Sequence, residues 1–114
     1  QFFPGFVLAV ADFAHQVVSA VGEAFNNVVI HGYKGIQPGD VCIDINTETD
    51  RMQIRVEDYG HSFDPQAVPL PDLDGLPESG MGLFIIRSFM DSVDYEAGRP
   101  NVLTLTKFFS KPQG

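Results

Sequence analysis

Apolar residues recur at helical spacing through the first third of the chain. Val17, Val21, Ala24, Phe25 and Val28 fall three and four residues apart and define one stripe of an amphipathic helix over 14–31. Residues 6–13, FVLAVADF, are apolar and helix-compatible, and no Gly or Pro separates them from that helix. The pattern allows one unusually long helix or two helices whose connector is absent from this chain; the second is the expectation. HGYKGIQPGD, rich in turn formers, ends the helical stretch.

The period then changes to two. Val41, Ile43 and Ile45 alternate in VCIDIN (41–46), as do Met52, Ile54 and Val56 in MQIRVED (52–58). With TETD between them, these runs predict an antiparallel hairpin with one buried face. Cys42 is expected to be a small core residue of the first strand. Residues 59–80 carry four prolines and neither period, which predicts a functional loop of the lid kind. Helical spacing returns in GLFIIRSFMDS (82–92), starting just after Gly80-Met81-Gly82. VDYEA (93–97) and VLTLTKFF (102–109) complete the chain as two more strands. Helix, helix, hairpin, lid, helix, hairpin predicts an α+β fold. It would be a two-layer sandwich with helices on one face of a mostly antiparallel sheet.

Composition narrows the class. The 114 residues suffice for one domain with a core, and 44% are hydrophobic. No run approaches the ~18 apolar residues of a membrane span, and no secretion signal opens the chain. The opening QFFPGF lacks an initiator methionine and fits a fragment of a longer protein. A single cysteine rules out an intramolecular disulfide framework and fits a reducing cytoplasm. A formal net charge of −8 argues against direct nucleic-acid binding, which needs clustered Lys and Arg. A protein partner or a metal-chelated anion fits better.

The helix has a second face that is not ordinarily solvated. Gln16, Ala20, Glu23, Asn27 and His31 run along it at four- and three-residue spacing, with no Lys or Arg before Lys34. An amide oxygen such as that of Asn27 suits a hard cation holding a triphosphate. Glu23, one turn earlier, is placed to orient or deprotonate a hydroxyl. Two further signals follow in order. Asp58-Tyr59-Gly60 closes the second predicted strand; a carboxylate there accepts a hydrogen bond from an exocyclic amine such as that of adenine, and the glycine admits close backbone approach. Gly80 and Gly82 open a helix whose N-terminal N–H groups suit phosphate. Each signal alone is common: a solvated helix edge, an Asp-x-Gly turn, a helix-start turn.

Their order is specific. EAFNNVVIHGY (23–33), DYG (58–60) and SGMG (79–82) resemble the N box and the two glycine boxes of the GHKL ATPases, the superfamily of gyrase-type enzymes and histidine kinases. The E…N…HGY form, the short lid and SGMGLFIIRSFMDSVDY resemble one branch, the anti-sigma-factor serine kinases. The resemblance covers roughly residues 14–109. It implies a Bergerat-type ATP-binding fold, a single ATP-binding domain over 1–114 with a shortened N-terminus, and ATP with Mg2+ as cofactors. It implies that Asn27 ligates magnesium, that Glu23 is the general base toward a serine hydroxyl, and that Asp58 binds the adenine amino group. Gly60, Gly80, Met81 and Gly82 would let the backbone wrap the nucleotide, with His31 in support.

The chain departs from the family pattern at several places. Ser62 stands where the first box usually has its second glycine. Pro100-Asn101 aligns with the usual Gly-Thr, whose threonine helps hold adenine; Asn101 or Thr104 could replace that bond. Glu78 stands where some members place an arginine for the γ-phosphate, and no Lys or Arg occurs from His61 to Ile86. The resemblance implies a cytoplasmic partner-switching kinase. It would hold a sigma factor or similar client and phosphorylate a serine on a small anti-anti-sigma antagonist. A homodimer is open to the family, although the N-terminal strand and part of the first helix region used for dimerisation in some members are shortened here. Two alternatives remain: a nucleotide-dependent protein-binding module with little or no kinase activity, and the catalytic domain of a two-component histidine kinase. The chain has no phospho-accepting helical hairpin, and His15 reads as a surface histidine.

Overall fold

The computed structural model describes residues 4–63 and 78–110, with side chains over 8–63 and 82–110. The predicted lid falls largely on 64–77 and lies outside the described residues. Helix α1 (Pro4–Asn27) continues into a π turn (Val28–Gly32); strands β1 (Val41–Thr47) and β2 (Arg51–Asp58) follow, then helix α2 (Glu78–Phe89) and strands β3 (Ser92–Glu96) and β4 (Asn101–Phe108). The four strands form one antiparallel sheet in the order β1-β2-β4-β3. The two helices pack on each other and over one face of the sheet, the architecture that the periodicities predict.

The core is drawn from the two helices and the two central strands. Ala20, Ala24 and Val28 of the α1 side meet Leu83, Ile86 and Met90 of the α2 side over Ile54 and Val56 of β2 and Leu103 and Leu105 of β4. Burying these side chains, each worth ~1.5–3 kcal/mol for the larger aliphatics, is the main force holding helices to sheet.

Four expectations are corrected. The first helical region is one helix of 24 residues, not two: nothing in 4–27 interrupts it, because Gly5 and Gly22 cost only ~1 kcal/mol each in a helix. The buried seam of α1 is centred on Ala20, placed on the polar face above, whereas Phe25 is exposed. Small side chains at Ala20 and Ala24 let α2 approach closely, and the seam follows that approach. In β1 the alternation is present but the burial is not: Ile43 and Ile45 are exposed, and so is Cys42. β1 is an edge strand, and the described helices cover the sheet's centre rather than its rim. Finally, α2 begins at Glu78, so Gly80 and Gly82 lie inside its first two turns. The helical apolar spacing starts only at Leu83, but no residue from Glu78 to Gly82 forbids a helix.

Candidate nucleotide site

Two polar clusters form where the helices and the central strands come together. In the first, Glu23 and Asn27 are one turn apart on α1, both half-buried, and face α2 at Gly82. A β-carbon at Gly82 would lie 3.1 Å from Asn27 Oδ1 and 3.1 Å from Glu23 Oε2. The glycine thus leaves room for an amide oxygen and a carboxylate oxygen to converge between the helices. Among the described residues no group of three or more His, Cys, Asp or Glu could cage a metal. A cation held by these two oxygens would complete its shell with water and with the oxygens of a bound anion. That is the mode preferred by magnesium, which keeps few protein ligands. The donor set fits such an ion: one amide oxygen, one carboxylate, and a space a β-carbon would fill.

In the second cluster, sheet register does the assembly. β2 and β4 pair so that Asp58 stands opposite Asn101, and both point to the helix side with Ile54, Val56, Leu103 and Leu105. Asp58 is 5% exposed and Asn101 0%. Asp58 Oδ1 accepts from Gly60 N–H (2.8 Å) and from Asn101 Nδ2 (3.1 Å). The second Nδ2 proton of Asn101 goes to Gly60 O (3.0 Å), while Asn101 Oδ1 accepts from Gly98 N–H (3.0 Å) and from the Ser62 hydroxyl. A carboxylate held in this way at a strand end suits recognition of an amine donor.

The π turn joins the clusters. It inserts one residue into the helical ladder, closed by Tyr33 N–H to Val28 O (3.0 Å), and carries Gly32 between them. A β-carbon on Gly32 would meet Asp58 Oδ1 at 3.7 Å and Asn27 O at 4.0 Å. Gly32 O accepts from His61 N–H at 2.6 Å. His31, by contrast, is exposed on the turn. Gly80 and Met81 are placed by their backbone on α2, and the Met81 side chain lies outside what the structure describes. Thr104 projects from the face of β4 opposite to Asn101, as the pleat requires three residues on, and is not brought to the clusters.

Three residues of the site escaped the sequence reading. Tyr33 is buried; its hydroxyl donates to Asp40 O (2.9 Å) and accepts from Tyr59 N–H (3.1 Å), tying the end of α1 to the end of β2. Gly32 had its signal in the HGY and DYG glycines but no partner named. Tyr95 stacks on Phe63 with ring centroids 4.1 Å apart, and its oxygen accepts from Phe63 N–H (3.3 Å). Burial pushes the Tyr95 phenol above its ordinary pKa and the nearby Asp58 charge adds to this, against the opposing pull of the Phe63 N–H.

A two-layer sandwich with helices on one face of an antiparallel sheet, an Asn on the first helix, a buried Asp at a strand end and glycines in the first turns of the second helix is the architecture of an ATPase–kinase class. Residues 7–107 match the family model described as a histidine kinase-like ATPase domain, and the chain belongs to that family. It is 36% identical over 110 residues to the serine-protein kinase RsbW of Halalkalibacterium halodurans, across 90% of this chain and 67% of that protein. It is 34% identical over 101 residues to RsbW of Bacillus licheniformis, across 81% and 62%. To RsbW of Listeria innocua it is 29% identical over 116 residues, across 90% and 73%. The chain thus spans about two thirds of the length of the curated relatives it matches.

Proposed function

We propose that the chain is a single ATP-binding domain that acts, with Mg2+, as an anti-sigma-factor-type serine kinase in a cytoplasmic partner-switching system. Its client would be a sigma factor or a similar protein, and its substrate a serine on an anti-anti-sigma domain. The observation that carries this reading is the convergence of Glu23 and Asn27 on Gly82, beside the buried Asp58 cluster. Similarity to serine-protein kinases RsbW supports the serine as acceptor. In this reading Asp58 takes the adenine amino group and the glycine-bearing start of α2 lies along the phosphates. Asn27 would hold the metal ion, which would supply positive charge to offset that of the phosphates. Glu23 accepts the proton of the serine hydroxyl as its oxygen bonds to the γ-phosphorus and the bond to ADP breaks.

A second reading rests on one observation. No Lys or Arg occurs from His61 to Ile86, and the chain's net charge is −8. Without a basic group over the γ-phosphate, the protein would bind nucleotide and a partner with little or no phosphoryl transfer. The readings separate in one experiment: incubation with labelled ATP, magnesium and the antagonist-type domain encoded nearest the gene, followed by phosphoserine analysis. The kinase reading expects phosphoserine from the wild type. Glu23→Gln should lower its rate by ~10²–10⁴-fold, the usual worth of a general base, with ATP affinity within a few-fold. No product from the wild type, with ATP still bound, leaves the binding module. A Glu23→Gln variant as fast as wild type removes Glu23 from catalysis.

A further inference from the structure

Two positions at which this chain departs from the family pattern, Ser62 and Asn101, meet in space, 39 residues apart in sequence, through the Ser62 hydroxyl and Asn101 Oδ1. The Asn101 side chain is fully buried, and its four hydrogen-bonding capacities are all used inside the protein. Two donors go to Asp58 Oδ1 and Gly60 O; two acceptor lone pairs take Gly98 N–H and the Ser62 hydroxyl. Chemistry fixes the orientation of this amide. Flipping it would set Oδ1 against a carboxylate and a carbonyl, and Nδ2 against the Gly98 N–H, so acceptors would face acceptors and a donor would face a donor. An amide so saturated has nothing left to offer a base. Among the described residues, both hydrogen bonds to the Asp58 carboxylate fall on Oδ1, which leaves Oδ2 to receive an amine.

We propose that Ser62 and Asn101 are a coupled pair of positioning residues. Asn101 does not contact the nucleotide. It pins Asp58 through Oδ1 so that Oδ2 alone is presented to the exocyclic amine, and Ser62 fixes the amide that does the pinning. This assignment rests on the nucleotide-binding reading above. It places selectivity for the amine in Asp58 and the sharpness of that selectivity in two residues that never touch the base. A threonine at 101 could not serve both Asp58 and Gly60, since one hydroxyl carries one proton.

The test compares ATP with purine riboside triphosphate, which lacks the amine, by titration calorimetry on wild type, Ser62→Ala, Ser62→Thr, Asn101→Ala and the Ser62→Ala/Asn101→Ala double variant. Wild type should prefer ATP by about tenfold or more, the worth of a hydrogen bond to a charged group. Asn101→Ala should collapse that ratio toward one; Ser62→Ala should lower it, and Ser62→Thr, which keeps the hydroxyl, should restore it. The double variant should be no worse than Asn101→Ala alone, because coupled residues are not additive. A ratio unchanged in Asn101→Ala, with both affinities falling together, would show a purely structural role and overturn the proposal. Hydrogen exchange of the Gly60 amide in the nucleotide-free protein gives an independent reading. Its protection should drop in both Ser62→Ala and Asn101→Ala. If wild type binds neither nucleotide, the function proposed above falls and the amine selectivity with it, while the exchange result still decides the coupling of the pair: unchanged Gly60 protection in Ser62→Ala overturns it. Should Asn101→Ala fail to fold, the Ser62 pair of variants carries both measurements.

Discussion

Gly32 and Gly60 approach so closely that a β-carbon on Gly60 would lie 2.3 Å from the Gly32 carbonyl oxygen and 2.6 Å from its carbon. The obstacle is backbone, held in place by the His61 N–H bond to the same oxygen, and so cannot swing aside. Gly60→Ala should therefore destabilise the fold by roughly 1–3 kcal/mol, the cost of overpacking a close contact. Gly22 is the control. It is exposed on α1, a β-carbon there would meet nothing within 4 Å, and Gly22→Ala should stabilise by about 0.5–1 kcal/mol through helix propensity. Urea unfolding of the two variants should move the midpoint in opposite directions.

Gly82→Ala should separate stability from binding. Its β-carbon would meet the ends of two side chains, Glu23 and Asn27, rather than backbone. These can move, and alanine favours the helix by ~1 kcal/mol, so the melting temperature should hold or rise. The displaced oxygens should cost magnesium-ATP affinity roughly tenfold, about one hydrogen bond to a charged group. A variant that melts lower and binds normally would contradict both halves.

Asn27→Ala tests the proposed metal ligand by itself. Asn27 is half-buried at the edge of the helix seam, not in the core. Removing its amide should leave the fold intact and erase the gain in ATP affinity that magnesium gives the wild type. Titrations with and without a chelator measure that gain directly; a variant that keeps it removes Asn27 from the metal site.

The period of the chain made the two-layer architecture legible, because Val17, Val21, Ala24 and Val28 on the helix and Ile54 and Val56 on a strand can be buried together only in that way. It could not tell β1 from β2. Val41, Ile43 and Ile45 alternate as cleanly as the central strand, and only the strand order shows that β1 is an edge. Helix packing was equally hidden: Ala20 outranks Phe25 in burial because a small side chain lets α2 close in, which no single-helix pattern encodes. In the candidate site, Glu23 and Asn27 were readable from spacing within one helix. The partners of Asp58 were not, since the Asp58–Asn101 bond spans 43 residues and exists only through the register of β2 on β4.

Tyr95 gives a prediction in pH. Its phenol is held neutral in the fold, with a pKa raised above the ordinary 10.0, chiefly by burial. The folded state then binds the proton more tightly than the unfolded chain. The resulting stabilisation is fully present below pH ~10 and is lost as pH rises through the folded-state value. The stability of wild type minus that of Tyr95→Phe, whatever its value at neutral pH, should therefore fall as pH rises above ~10, so this gap should shrink or reverse there. Denaturant midpoints of both proteins between pH 7 and 11 measure it; a gap that widens would reverse the sign.

Asp58→Asn should do more than weaken ATP. Gly60 N–H and Asn101 Nδ2 both donate to Oδ1 at this position, so an asparagine would settle with its own oxygen toward them. Its amide NH2 would then occupy the place of Oδ2 and face the base. That group repels the amine of adenine and matches the carbonyl at the same position of guanine. The variant should thus lose adenine preference and shift toward GTP, because a mismatched polar contact penalises the wrong base more than a missing one does. Competition between ATP and GTP, measured in wild type and variant, decides the matter. Unchanged ATP preference in Asp58→Asn would mean that the carboxylate is a turn-capping group for Gly60, and that the base is read elsewhere.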